Sequence, residues 1–418
     1  MLIEFSVGNY KSFKSPVRLS MVAAKSKSEN KTSDENNIFE YTRSVNILKT
    51  AAIYGANASG KSNFVKAISF MRSFVINSSK ESQAAEDIDV DNFKLSTETE
   101  NMPSFFEIIF SFENIRYRYG FELDNKQIHS EWLFRAKQRE MNLFLREKGK
   151  ITHNTAFKEG FGLEDKTRDN ALFLSVCAQF NGEISTDILK WFRKLRIVSG
   201  IYDLSYRAFT YNKLNNPDFK KKIMSFINEF DFGISTLSVK ETLSEKIHPQ
   251  LLNITFTPSD EKRPIKTTHR KYDQNDKHIG DEFFELDKNE SHGTRKAFSF
   301  SVPLLDTLEK GTILIVDELD ARFHPMITCS IIQLFHDKST NPHNAQLIFA
   351  THDTNLLDNQ FFRRDQIWFA EKNRFGATDM YSLADFKVRN DSSFKKDYIS
   401  GKYGAIPFIG GLKRLEIK

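Results

Sequence analysis

Hydrophobic and polar positions alternate at the start of the chain. Leu2, Ile3, Phe5 and Val7 stand against Glu4, Ser6 and Asn9, a period that predicts a half-buried strand. Residues 25–44 (KSKSENKTSDENNIFEYTRS) hold few core formers and read as an exposed loop. Ala51-Ala52-Ile53-Tyr54 is a short apolar strand ending at Gly55. From Lys61 onward SNFVKAISFMRSFV takes a helical period, with Phe64, Ile68 and Met71 on one face. Between residues 90 and 158, PSFFEIIFSF, IRYRYGFEL and SEWLFRA are separated by turn-like ENIR and DNKQ, which predicts antiparallel strands. Residues 165–232 turn helical (ALFLSVCAQF, DILKWFRKLRI, DFKKKIMSFINEF). Residues 234–287 return to alternating strands around the polar EKRPIKTTHRKYDQNDKH.

The final third has an α/β rhythm. Thr312–Val316 reads as a buried strand, Met326–His336 as a helix and Leu347–Ala350 as a strand; Asp353–Asn359 reads as a short helix and Gln366–Phe369 as a further strand. Such alternation implies a largely parallel sheet covered by helices. The expected fold class is therefore α/β, an antiparallel part joined to a mixed or parallel sheet with flanking helices. Residues 1–164 form an amino-terminal lobe, 165–232 a short helical insertion or lid, and 233–418 a carboxy-terminal lobe.

Composition narrows the function classes. A chain of 418 residues has a prior of two to three domains, or one large core with an insertion, and needs no covalent staple. The net charge of +5 argues neither for nor against nucleic acid. Cys177 and Cys329 make no disulfide scaffold and suit a reducing cytosol, so a cytoplasmic location is expected. Glu4 lies where a signal peptide would need an apolar core, and no run approaches about 18 apolar residues, so neither a secretory leader nor a membrane partner is expected.

Four segments carry chemistry. Gly55-Ala56-Asn57-Ala58-Ser59-Gly60-Lys61-Ser62 matches G-x-x-x-x-G-K-[ST] in full, after an apolar strand and before a helix, with Asn63 next. Its glycines let backbone N–H groups turn inward around phosphate oxygens, and the helix start adds positive potential. Lys61 would reach the β- and γ-phosphates, and the Ser62 hydroxyl would bind Mg²⁺. The bland alternative is a glycine turn without a ligand. Thr312–Glu318 (TILIVDE) delivers two carboxylates at a strand end, the edge where α/β sheets bind ligands. Asp317 would hold the metal and Glu318 would orient the attacking water; acidic residues capping a turn are the alternative. Phe349-Ala350-Thr351-His352-Asp353 puts an imidazole at that same edge, where it could sense the γ-phosphate. Its His-Asp pair could belong to a metal phosphohydrolase instead, and a satisfied histidine is the bland reading. Ser291-His292-Gly293-Thr294-Arg295 looks by itself like any helix start, yet the run it opens leads into the Asp317-Glu318 strand.

In this order the motifs resemble the ATP-binding cassette head of the SMC/RecF superfamily. More narrowly, they resemble the RloA/AbiLi-type ATPases of bacterial abortive infection and phage defence. Asn9-Tyr10-Lys11-Ser12-Phe13, Glu318-Leu319-Asp320-Ala321-Arg322-Phe323-His324-Pro325 and Tyr398–Pro407 (YISGKYGAIP) carry the narrower likeness. The resemblance implies a head-to-tail homo-oligomer enclosing ATP and Mg²⁺. Ser291, Gly293 and Thr294 would then meet the nucleotide of the opposite chain, Asp320 would face that chain, and Lys11 and Ser12 would lie near the nucleotide. His292 and Thr294 depart from the L-S-G-G-Q of transporters, which weighs against a transport ATPase, and Gln179 is the candidate for the glutamine that usually senses the metal. The helical stretch is too short for SMC arms. The basic clusters Arg193–Arg196, Lys220–Lys222 and Lys262–Lys271 suit phosphate-backbone contacts or merely a solvated face.

The implied function is an ATP-gated regulator of a separate nuclease or toxin effector, answering a phage or nucleic-acid trigger, with no nuclease of its own. A RecF-like DNA clamp is the alternative. A GTPase is disfavoured, since Asn212-Lys213-Leu214-Asn215 lacks the carboxylate of a guanine-recognition segment.

Overall fold

The computed structural model describes residues 1–25, 35–80, 83, 86–137, 139–202, 204–230, 232–239, 265–388 and 393–407. The first half of the chain forms β1 (Leu2–Gly8), β2 (Val17–Ser20), β3 (Ile38–Thr42), β4 (Val45–Leu48), β5 (Thr50–Tyr54), helix α1 (Lys61–Asn77), β6 (Ser104–Phe112), β7 (Ile115–Leu123), β8 (Ile128–Ala136), β9 (Glu140–Glu147) and β10 (Lys150–His153). Then come α2 (Phe173–Gln179), α3 (Glu183–Lys194), β11 (Leu195–Ser199), α4 (Leu204–Lys213), α5 (Pro217–Asn228), β12 (Ile234–Val239), β13 (Ile265–Tyr272) and β14 (His278–Glu285). The last third holds α6 (Leu286–Asn289), α7 (His292–Lys310), β15 (Ile313–Asp317), α8 (Pro325–His336), β16 (Gln346–Ala350), β17 (Ile367–Lys372), β18 (Thr378–Ser382) and α9 (Phe394–Ile399).

Two sheets dominate. The alternating start of the chain enters an antiparallel sheet ordered β10-β9-β8-β7-β6-β1-β2. The second sheet is ordered β11-β15-β16-β5-β17-β18, parallel through β17 and closed by antiparallel β18. Its central strands are apolar at nearly every position because both faces are covered. Ala51, Ile53, Ile313, Ile315 and Ile348 enter a core shared with α1, α2, α3 and the antiparallel sheet. Ala52, Tyr54, Leu314, Val316, Leu347 and Phe349 enter a second core with α7 and α8. The period-2 geometry of a strand sorts neighbouring residues of one short segment into two cores. All five parallel strands then end at one edge, which gathers Gly55, Gly200, Glu318 and Thr351.

Several segments differ from the expected pattern. Residues 38–42, read as loop, form β3 against β4, because Ile38, Phe39 and Tyr41 pack against the first core; residues 26–34 of that loop lie outside the described residues. DILKWFRKLRI is helical only to Lys194. Leu195, Ile197 and Val198 instead run parallel to β15 as the edge strand β11, where ladder hydrogen bonds and branched side chains favour the extended chain. Residues 165–232 thus supply a strand of the central sheet as well as helices. Of those helices, α3 stacks Trp191 on Phe110 at 3.9 Å between ring centroids. Residues 353–359 make only one 3₁₀ turn, Thr354–Leu356, capped by Asp353.

Candidate functional site

Residues 57–63 line one side of an open cleft of about 610 Å³ at the edge where the parallel strands end; Glu318, His352 and Lys372 complete the lining. The loop owes its shape to two close approaches. A side chain at Gly55 would put Cβ 2.3 Å from the Ala370 carbonyl, and one at Gly60, where φ is +113°, would lie 2.4 Å from Thr378 Oγ1. Gly60 then opens α1 without any side-chain cap, leaving the first helical N–H groups aimed into the cleft. Lys61 Nζ donates to the carbonyls of Gly55 (2.8 Å) and Ala56 (3.0 Å), folded back over its own loop. Burial lowers its pKa to about 8, against the pull of Asp317, Glu318 and Asp320. Ser59 Oγ is buried against Gly55 and has no hydrogen-bond partner among the described residues.

The acidic turn arrives from β15. Ser62 Oγ donates to Asp317 Oδ1 at 3.1 Å, which joins the phosphate loop to the second motif across 255 residues of chain. Glu318 follows in a left-handed conformation, φ +57°, which turns the chain sharply after the strand. Burial and then the neighbouring Asp317 and Asp320 carboxylates raise its pKa, while Lys61 and Lys296 oppose them. His352 lines the cleft from the end of β16, and its backbone N–H donates to Asp320 Oδ2 at 3.4 Å. Burial and then Lys61 lower its pKa, which keeps the imidazole neutral at physiological pH.

The remaining expected residues divide. Ser12 is buried behind the loop, where its Oγ accepts from Asn63 Nδ2 and lies within hydrogen-bonding distance of Thr378 Oγ1, both at 2.9 Å. Lys11 does not reach the cleft lining, because its ammonium pairs with Asp91 at 2.6 Å. Ser291, Gly293, Thr294 and Asp320 also lie outside the lining. Ser291 caps α7, its Oγ accepting from Thr294 N at 3.1 Å, while Ser291 and His292 are exposed. That exposed helix start is free to meet another molecule. Gln179 sits exposed at the end of α2 and does not line the cleft.

Within the basic clusters, Arg196 pairs with Asp306, Lys222 with Glu309 and Lys271 with Glu282, which favours the solvated-face reading; Lys262 and Arg263 lie outside the described residues.

Sequence reasoning passed over four residues. Lys372 lines the cleft from the end of β17. Thr378 braces the loop by donating to the Ser59 carbonyl at 2.7 Å. Lys296 holds the turn after Glu318. Gly200, at the end of β11, donates its N–H to the Asp317 carbonyl at 2.6 Å, and a Cβ there would lie 1.8 Å from the Glu318 carbonyl oxygen. None sits in a recognisable motif; only the neighbouring strand ends bring them together. Gly200→Ala is expected to lower unfolding free energy by roughly 1–3 kcal/mol through overpacking. An unchanged denaturant midpoint would show that the acidic turn yields freely.

The donor set suits a metal–triphosphate. Ser62 Oγ and Asp317 are the hard oxygen ligands that Mg²⁺ takes alongside phosphate oxygens. The free N–H groups and Lys61 suit the phosphates. A family model described as "AAA domain, putative AbiEii toxin, Type IV TA system" matches residues 51–358, most of the chain. The chain is also similar to the SMC head domain from Thermotoga maritima (12% identity, 91% of this chain and 98% of that chain, TM-score 0.37). It is similar to the recombination mediator protein RecF-ATPrS in the RecFOR pathway (11%, 91% and 98%, 0.35). A third likeness is to cbiO1 from Clostridium perfringens, part of the ABC transporter complex cbiONQ (11%, 88% and 90%, 0.30). No curated protein matches the sequence.

Proposed function

We propose, for a chain that belongs to the family described as "AAA domain, putative AbiEii toxin, Type IV TA system", that it binds and hydrolyses ATP between paired copies and uses the nucleotide to govern a separate toxin or nuclease. The observation that carries the ATPase part is the 3.1 Å contact between Ser62 and Asp317 beside a cleft that Ser62 lines together with Glu318 and His352. Bound Mg²⁺ would neutralise charge on the β- and γ-phosphates from Ser62 and Asp317. The loop N–H groups and Lys61 hold the phosphates, and Lys61 exchanges its carbonyl partners for phosphate oxygens. Glu318, its basicity increased by burial, accepts a hydrogen bond from the attacking water and aligns it. Neutral His352, also in the cleft lining, reports on the γ-phosphate.

Pairing follows from what the cleft leaves open. One chain supplies the loop, Asp317 and Glu318 but does not cover the γ-phosphate. The exposed start of α7, with Ser291 and Gly293, offers N–H groups and a helix dipole to the triphosphate of a second copy. ADP lacks the oxygens that bridge the chains, so hydrolysis loosens the pair. Control of an effector rests on the family description together with the motif resemblance. No helix among the described residues is long and apolar enough to cross a membrane.

The test mixes two crippled subunits. Lys61→Ala removes the phosphate contact, and Gly293→Asp puts a negative charge where the partner's γ-phosphate would arrive. Each variant alone should be inactive, and Gly293→Asp should still bind ATP. The mixture should recover a fraction of wild-type turnover, because one pocket of each mixed pair is intact. Proven mixed pairs without recovery would reject the shared pocket. Salt-dependent DNA binding by the protein alone would favour a clamp over an effector regulator.

A further inference from the structure

Lys296 lies on α7 just beyond the Ser291–Thr294 start, and only 1% of it is exposed. A lysine this deep is costly to bury unless its ammonium is well partnered. Its Nζ donates to the carbonyl of Leu319 at 2.8 Å and to that of Ala321, the two residues flanking Asp320. The same ammonium sits 4.1 Å from the centre of the Phe323 ring. Other contacts bind these two segments. A Cβ on Gly293 would lie 3.1 Å from the Arg322 carbonyl, and the Phe300 and Phe323 rings meet at 6.2 Å. The turn 318–323 therefore lies along the first turns of α7, with left-handed residues at Glu318 and Arg322 bending it there.

We infer that Lys296 is a positioning residue that couples the partner-facing start of α7 to the Glu318 of its own chain. The inference builds on the shared-pocket reading and adds a direction of communication. When Ser291 and Gly293 engage the nucleotide of the second copy, α7 is drawn toward it. Lys296 carries the carbonyls of Leu319 and Ala321 along, and Glu318 one residue before them is set into line. Each site then fires faster when the opposite site is filled, so a pair with a single intact pocket keeps only a reduced rate. A lysine suits this task because its three N–H donors grip two carbonyls at once, and backbone carbonyls move with the turn as a body. A loose surface contact could not transmit a displacement, whereas a packed, buried contact has few alternative arrangements.

The experiment compares wild type, Lys296→Met, Lys296→Gln and Lys296→Arg in steady-state ATPase assays at varied ATP, alongside equilibrium binding of ATP and thermal melting. Wild type should show cooperative turnover. Lys296→Met should lower kcat by about 10²-fold, a loss typical of misplacing one catalytic group, with ATP affinity and KM changed little. Its dependence on ATP should become non-cooperative. Lys296→Arg, which keeps cationic donors, should recover much of the rate, and Lys296→Gln should fall between. Wild-type kcat and cooperativity in Lys296→Met would overturn the inference. So would a loss of rate that tracks lower ATP binding and melting temperature across all three variants, since that marks a structural role. If Lys296→Met does not fold, persistent cooperativity in folded Lys296→Gln overturns it equally. Absence of ATP turnover in wild type is a different failure, of the ATPase reading itself.

Discussion

Glu318→Gln should bind ATP with wild-type affinity and hydrolyse it about 10²–10³-fold more slowly, the usual effect of removing one well-placed group that acts on the transition state. The substitution keeps shape and hydrogen-bonding reach but removes the proton acceptor. Binding is spared because the phosphates are held by the loop, Lys61 and Ser62, none of which the change touches. Burial and the adjacent Asp317 and Asp320 make the wild-type carboxylate more basic than a free one, which strengthens its hold on the water's proton. With hydrolysis blocked, the γ-phosphate persists and the paired form should accumulate on ATP. Size-exclusion chromatography with ATP, set beside single-turnover hydrolysis, reads both effects. Normal turnover would assign water activation to another group, and His352 would be the next to test.

Lys61→Ala should abolish ATP binding at ordinary concentrations. Deleting one partner of a buried charged pair costs roughly 2–5 kcal/mol, or about 30-fold to several-thousand-fold in Kd. The wild-type ammonium has a pKa near 8 because burial disfavours its charge. The charged form is the one that attracts phosphate, so wild-type affinity should be full below pH 8 and weaken as pH rises beyond it. Bound triphosphate raises that pKa, so the midpoint lies higher in the complex than in the free protein. Lys61→Ala should lose this dependence as well as the affinity. Titration of ATP across pH 6.5–9.5 measures both, and unchanged affinity in the variant would remove Lys61 from the site.

The phosphate loop was legible because its chemistry is local. Gly55, Gly60, Lys61 and Ser62 act through backbone turns and one helix start, all within eight residues. The Asp317-Glu318 pair was legible for a similar reason, since an apolar strand must end at an edge. The pairing of Lys11 was not legible, because its motif position says nothing about Asp91, eighty residues away. The edge strand β11 was hidden because Leu195–Ser199 continues a helical pattern, and only the vacant side of β15 makes the extended form better. Lys296 looked like one more charged residue on a helix until burial against the Leu319 and Ala321 carbonyls gave it a partner.

The linear chain determined which strands are apolar on both sides, where the phosphate loop turns, and which carboxylates arrive at a strand end, since each depends on neighbours within one element. Tertiary structure alone decided that Ser62 meets Asp317, that Gly200 must be small to pass Glu318, and that Thr378 braces the loop from behind. Those contacts join segments that lie far apart in the chain or on separate elements. They exist only because a sheet ordered β11-β15-β16-β5-β17-β18 sets its strand ends side by side, an arrangement fixed by the burial of both faces and not by any local preference.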